Sequence, residues 1–281
     1  MVKRASKNAH FRNTRHSVLF VAAFMWPIAL GAQEPGGETP VIADFSGFWN
    51  HPVRSIDFEN APGGGPGPVQ NTLEINGRNP VWVGDHSNPI LLDWTAEIVR
   101  EKGEMALNSR GAPTAQMLCM PSGVPNDHSL MGPLHIIQSN DIVLIVHQRD
   151  HQIRRVLMNQ KHSDNIAPSW YGESVGHYEG DTLVVDTIGL NDKTVTDRNG
   201  TPHTNKIHVV ERYRVAEDRS GMDVQFNVSD PGAFTMPWSA MVRYRPIANQ
   251  AVLEEVICAE NNFDVVTKEM FPIPEDHTPD F

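Results

Sequence analysis

From Leu134 onward the chain is cut into short apolar stretches by Gly, Asn and Asp, and this rhythm restricts the fold more than any other feature. Leu134–Gln138 and Ile142–Gln148 flank Ser139-Asn140-Asp141, and Gln152–Met158 follows a tight turn at Arg149–His151. Gly172–Tyr178 and Thr182–Ile188 flank Glu179-Gly180-Asp181, and Ile207–Val215 and Met222–Val228 flank Asp218–Gly221. Trp238–Tyr244 and Val252–Cys258 complete the series. Many short segments with turn residues between them predict a mainly β domain, an antiparallel meander closing into a barrel or half-barrel of lipocalin type. A sandwich is the other architecture this pattern allows.

Upstream, Asp44–Asn50 reads as a first strand with an aromatic anchor, and residues 61–68 (APGGGPGP) as a loop. Residues 93–108 are the one helix candidate, with Asp93 or Thr95 able to cap it. No repeat and no linker divides the region after residue 120. The expectation is a single β-rich domain over 33–281, irregular to about residue 118.

The first 32 residues read as an address. Lys3, Arg4, Lys7, Arg12 and Arg15 precede the apolar run Val18–Leu30, and small residues follow at Ala29, Gly31 and Ala32. The run is shorter than the roughly 20 residues a membrane span takes, so it predicts a signal peptide cut near Ala32–Gln33. Cleavage would leave 249 residues with 18 basic and 34 acidic side chains, a net charge of −16. That balance argues against a nucleic-acid partner, and no later stretch is apolar enough to span a membrane. A periplasmic or secreted location makes Cys119 and Cys258 the expected disulfide.

Strand alternation singles out polar side chains on apolar faces. Ile142–Gln148 carries Val143, Ile145 and His147 on one face; Gln152–Met158 carries Ile153, Arg155 and Leu157; Ile207–Val215 carries Val209, Glu211 and Tyr213. A buried charge needs a partner, so an interior Arg155–Glu211 pair is expected. His151, His203 and His208 sit in or beside turns, and the polar loop 189–203 contributes Asp192 and Lys193. Histidine can pass protons in either direction near neutral pH. His151, Arg155, Asp192, His203, His208 and Glu211 are therefore the candidate catalytic residues. Trp49, His147, Trp170, Tyr178, Lys193 and Trp238 are the candidate walls of a substrate cavity. Gly172-Glu173-Ser174-Val175-Gly176 matches a nucleophile elbow in letters only, because a strand and not a helix follows it. His147, His151, His203 and His208 lack the helical H-E-x-x-H spacing of a zinc site, although a divalent metal there is an alternative.

The runs Asp150-His-Gln-Ile-Arg-Arg155, Glu179-Gly-Asp-Thr-Leu-Val-Val-Asp-Thr187, Asn191-Asp-Lys-Thr194 and Pro202-His-Thr-Asn-Lys-Ile-His-Val-Val-Glu-Arg212 resemble a family of exported, mostly uncharacterised bacterial β-rich proteins. The resemblance spans roughly residues 44–262. It implies export and a β-rich domain, and it assigns no catalytic residue.

Without a nucleotide fingerprint or a haem-attachment motif, the expected chemistry is cofactor-independent acid–base work on a small, partly apolar, possibly aromatic molecule, of lyase or isomerase type. The alternatives are a lipocalin-like binding protein without catalysis, a metal-dependent hydrolase and a structural envelope protein.

Overall fold

The computed structural model describes residues 42–52, 57–63, 65–72, 82–108, 115, 118–150, 152–248 and 253–257. The expected signal segment, His151 and Cys258 lie outside the described residues.

Nine strands form a closed barrel: β1 (Gly47–Asn50), β3 (Leu134–Gln138), β4 (Ile142–His147), β5 (Ile153–Met158), β6 (Glu173–Glu179), β7 (Thr182–Ile188), β8 (His208–Val215), β9 (Met222–Ser229) and β10 (Trp238–Pro246). β10 closes the ring on β1 with Trp49 opposite Pro246. The two-residue β2 (Glu59–Asn60) continues that edge of β10. The expected hairpins are all present, because period-2 alternation and short polar turns both act locally.

Two expectations are corrected. The sheet is not wholly antiparallel: β5 and β6 run parallel, with Val156 opposite Ser174 and Met158 opposite Gly176. The chain therefore travels from one end of the barrel to the other between Asn159 and Gly172. No strand follows β10 within residues 253–257, since β1 already occupies the edge a further strand would need.

All strand registers agree on which ends meet. β1, β4, β7 and β9 finish where β3, β5, β6, β8 and β10 begin. The described parts of the connection between β1 and β3, with 189–207 and 230–237, gather at this end and act as a lid, while the opposite end carries the tight turns at 139–141, 180–181 and 216–221. The helix α1 (Asp93–Leu107) belongs to the lid and buries Thr95, Val99, Gly103 and Ala106 along one stripe. Neither Asp93 nor Thr95 caps it. Leu92 is the cap residue, and the Thr95 hydroxyl donates to the carbonyls of Leu92 and Ala233. A short 3-10 turn of the lid, Asn126–Ser129, is buried at all four residues.

Val143, Ile145, Val156, Leu183, Val185, Val224 and Phe226 fill much of the barrel. On four successive strands the inward position nearest the lid is polar instead: His147, Arg154, Ser174 and Thr187. The next inward positions away from the lid are Ile145, Val156, Gly176 and Val185. The sequence thus builds a polar tier between an apolar filling and the lid.

Candidate functional site

The polar tier is organised around Arg154. Its Nη1 donates to Glu211 Oε1 at 2.8 Å, and its Nη2 donates to Glu211 Oε2 and, at 2.9 Å, to Thr187 Oγ1. Nε reaches Ser174 Oγ at 3.3 Å, and Nη1 lies 3.4 Å from Asp127 Oδ2. Glu211 Oε1 also accepts the Tyr213 hydroxyl at 2.9 Å and sits 2.7 Å from His128 Nε2. The other ring nitrogen of His128 is 2.8 Å from the Tyr244 hydroxyl. Arg154, Glu211, Asp127 and His128 are all essentially inaccessible to solvent.

Burial alone would raise the Glu211 carboxyl. The charge and hydrogen bonds of Arg154, with the bond to His128, overturn this and hold it below the usual carboxylate range. Asp127 follows the same pattern, with His128 and Arg154 outweighing the cost of burial. Tyr171, Tyr213 and Tyr244 are pushed upward by burial, then by nearby carboxylates, so their hydroxyls stay protonated donors.

Beside this paired network lie polar atoms with no hydrogen-bond partner: His147 Nε2, Asp127 Oδ1 and His51 Nδ1. His147 Nε2 faces Asp127 Oδ2 at 3.7 Å, within ion-pair reach and too long for a direct hydrogen bond. The ring of His147 stands 6.3 Å from that of His128. His51 follows β1 and packs against Tyr244 with ring centroids 4.5 Å apart. Burial, and then the nearby His128 and His147, push His51 down to about 3, so its imidazole is neutral at physiological pH. Buried polar atoms are rarely left unpaired, and a cluster of them marks where water or a ligand sits.

Outside the tier, the parallel seam opens a groove of about 250 Å3 between the starts of β5 and β6, lined by Ile153, Arg154, Arg155, Leu157 and Tyr171–Ser174. The Tyr171 hydroxyl donates to Asp150 Oδ2 at 2.6 Å, and the same oxygen accepts the Ser122 amide at 2.9 Å.

The structure divides the sequence candidates. Glu211 and His147 face inward as alternation predicts, but the interior arginine is Arg154 and not Arg155. Ile153, Arg155 and Leu157 do share a face, and it is the outer one. His203 is buried in the loop 189–207, its nitrogens 2.7 Å from Thr194 Oγ1 and 2.9 Å from the Thr204 carbonyl. His208 lies on the outer wall, where Asp186 Oδ1 is shared at 2.9 Å with His162. Asp192 and Lys193 are exposed. The expected catalytic set is therefore not assembled in one place. Nor are His147, His203 and His208 brought together, and among the described residues no group of three or more His, Cys, Asp or Glu is placed to hold a metal ion. Trp49 and Trp238 are core residues; Trp49 donates to the Phe45 carbonyl, and Trp238 packs edge-on against Phe226 and Phe234. Tyr178 stacks on Phe45 and accepts from Gln138, while Trp170 is half-buried beside the seam. Ser174 is no nucleophile elbow, because it lies within β6 and its hydroxyl is shared by Thr187 and Arg154.

Sequence reasoning missed Arg154, Asp127, His128 and His51. Asp127 and His128 come from an aperiodic turn, where strand alternation has nothing to say. The visible signal was the dense polar run Asn126-Asp127-His128-Ser129 set between Pro125 and Leu130.

Comparison with known proteins returns no relative: no family model, curated protein or solved structure matches the chain.

Proposed function

We propose that the protein is an exported, cofactor-independent enzyme acting by acid–base chemistry on a small, partly apolar molecule, in the manner of a lyase or isomerase. The observation that carries this reading is His147 Nε2, buried, without a partner, and facing Asp127 beside the Arg154–Glu211 pair. In this scheme His147 takes a proton from the substrate and Asp127 steadies the resulting imidazolium. Arg154, fixed by Glu211, Thr187 and Ser174, keeps the neighbouring Asp127 ionised for that role. His51, neutral and with Nδ1 unpartnered, positions a polar group of the same molecule. Export is in keeping with a mature net charge of −16 and with Cys119, which is not a free thiol; we pair it with Cys258.

The test uses residues 33–281 and a panel of small aromatic and alicyclic hydroxy acids, with product formation followed by mass spectrometry. Turnover that His147→Gln lowers at least a hundredfold, with melting unchanged, supports the reading. His208→Ala, on the outer wall, keeps full turnover. Equal rates for the wild type and His147→Gln sink it.

A second reading, a lipocalin-like binding protein, is favoured by the complete pairing around Arg154. It predicts saturable binding of a panel compound with no product.

A further inference from the structure

We infer that the parallel seam is the substrate's entrance and that it selects single-ring organic anions; this rests on the acid–base reading and names its substrate class. The β6–β7, β7–β8, β8–β9 and β9–β10 pairs run along most of their strands, but the β5–β6 register begins only at Val156 and Ser174. Ile153, Arg154 and Arg155 thus have no partner on β6, and the strands part toward the lid. The groove there, about 250 Å3, lies just under the range of roughly 300–1,000 Å3 usual for drug-sized ligands, so one ring with a short substituent fits it.

Its walls separate into two kinds. Ile153, 56 % exposed, and Leu157 offer an apolar side, and Tyr171 lines the groove from the segment that enters β6. The charged side chains of the groove favour an anion. Glu173 is the one carboxylate among the lining residues, and it is consumed by the Ser163 amide and hydroxyl and by His162. Arg154 is committed to Glu211. Arg155 has no ion pair among the described residues, and it projects from the wall the ligand must pass. A guanidinium with free donors binds a carboxylate through two parallel hydrogen bonds. The ring then rests on Ile153 and Leu157 with its far end toward Ser174 and Arg154.

The experiment measures binding of benzoate, phenylacetate and cinnamate, and of their primary amides, to residues 33–281 by calorimetry. The acids bind at least tenfold tighter than the amides. Arg155→Gln removes that preference and leaves melting unchanged, while Ile153→Asp weakens acids and amides alike. Equal affinity for acids and amides, no binding of either, or an acid preference that survives Arg155→Gln overturns the inference. His147→Gln keeps the acid preference, so acids bound selectively but never turned over would bring down the enzyme reading and leave the groove standing.

Discussion

Arg154 and Glu211 meet inside the barrel from strands that are not neighbours: β5 and β8 are separated by β6 and β7, and the guanidinium spans the gap with a donor on each carboxylate oxygen. The pair anchors much of the polar tier, since His128, Tyr213, Thr187 and Ser174 all bond to one of its members, while His147 stands outside this network.

Removing one partner of such a pair leaves the other charged and buried. Arg154→Met and Glu211→Leu should each destabilise the fold by about 3–5 kcal/mol. The double variant should cost clearly less than the sum, which urea denaturation of the three proteins measures. Additive losses would mean that the pair does not act as a unit.

Arg155 gives the contrast. Its side chain lies on the outer face, so Arg155→Ala should change stability by no more than about 0.5 kcal/mol. Interchanging the two expected outcomes at positions 154 and 155 would restore the register read from alternation.

Stability should depend on acid in a defined window. His51 is held down to about 3 in the folded state, against 6.5 for the free side chain. The unfolded chain therefore takes up the proton first, and stability falls as pH drops from about 6.5 toward 3. Glu211 and Asp127, both lowered, add to the loss below the ordinary carboxylate range. His208, raised by its bond to Asp186, works in the opposite sense, its contribution being lost as pH rises through its folded value. Melting temperatures from pH 6.5 to 3 should fall in the wild type and less steeply in His51→Gln.

Gly172 sits where the chain enters β6 with φ of +60°, and a Cβ there would come within 2.3 Å of the Ile188 carbonyl oxygen. Backbone cannot move aside as a side chain can. Gly172→Ala should cost at least about 1–3 kcal/mol and disturb the groove along with the fold. Ser174→Ala, which removes only a hydroxyl shared by Thr187 and Arg154, should leave the protein folded. A fluorophosphonate should label neither it nor the wild type at this position, and labelling of Ser174 would revive the serine-hydrolase reading.

Local signals made the barrel legible. The turns at 139–141 and 180–181 and the alternation in β4 and β8 are written in adjacent residues, and His147 and Glu211 were placed on their correct faces by that alternation alone. β5 misled for the same reason: Ile153 and Leu157 look like an inward face, and what turns Arg154 inward is Glu211, 57 residues away. His51, Asp127 and His128 escaped because they lie in segments without a period and are brought in by the lid. The parallel direction of β6 was hidden in the long connection before it, whose length is compatible with either direction.

That direction follows from parity. Strands that alternate up and down can close into a ring only when their number is even, and this ring has nine. One junction has to join two strands of the same sense, and eight antiparallel junctions plus one parallel junction is the least disturbed solution. The odd strand count thus obliges the barrel wall to carry a mismatch somewhere along its circumference. The chain has placed that parallel junction beside Arg154, so the seam next to the polar tier is a consequence of counting rather than of any single residue.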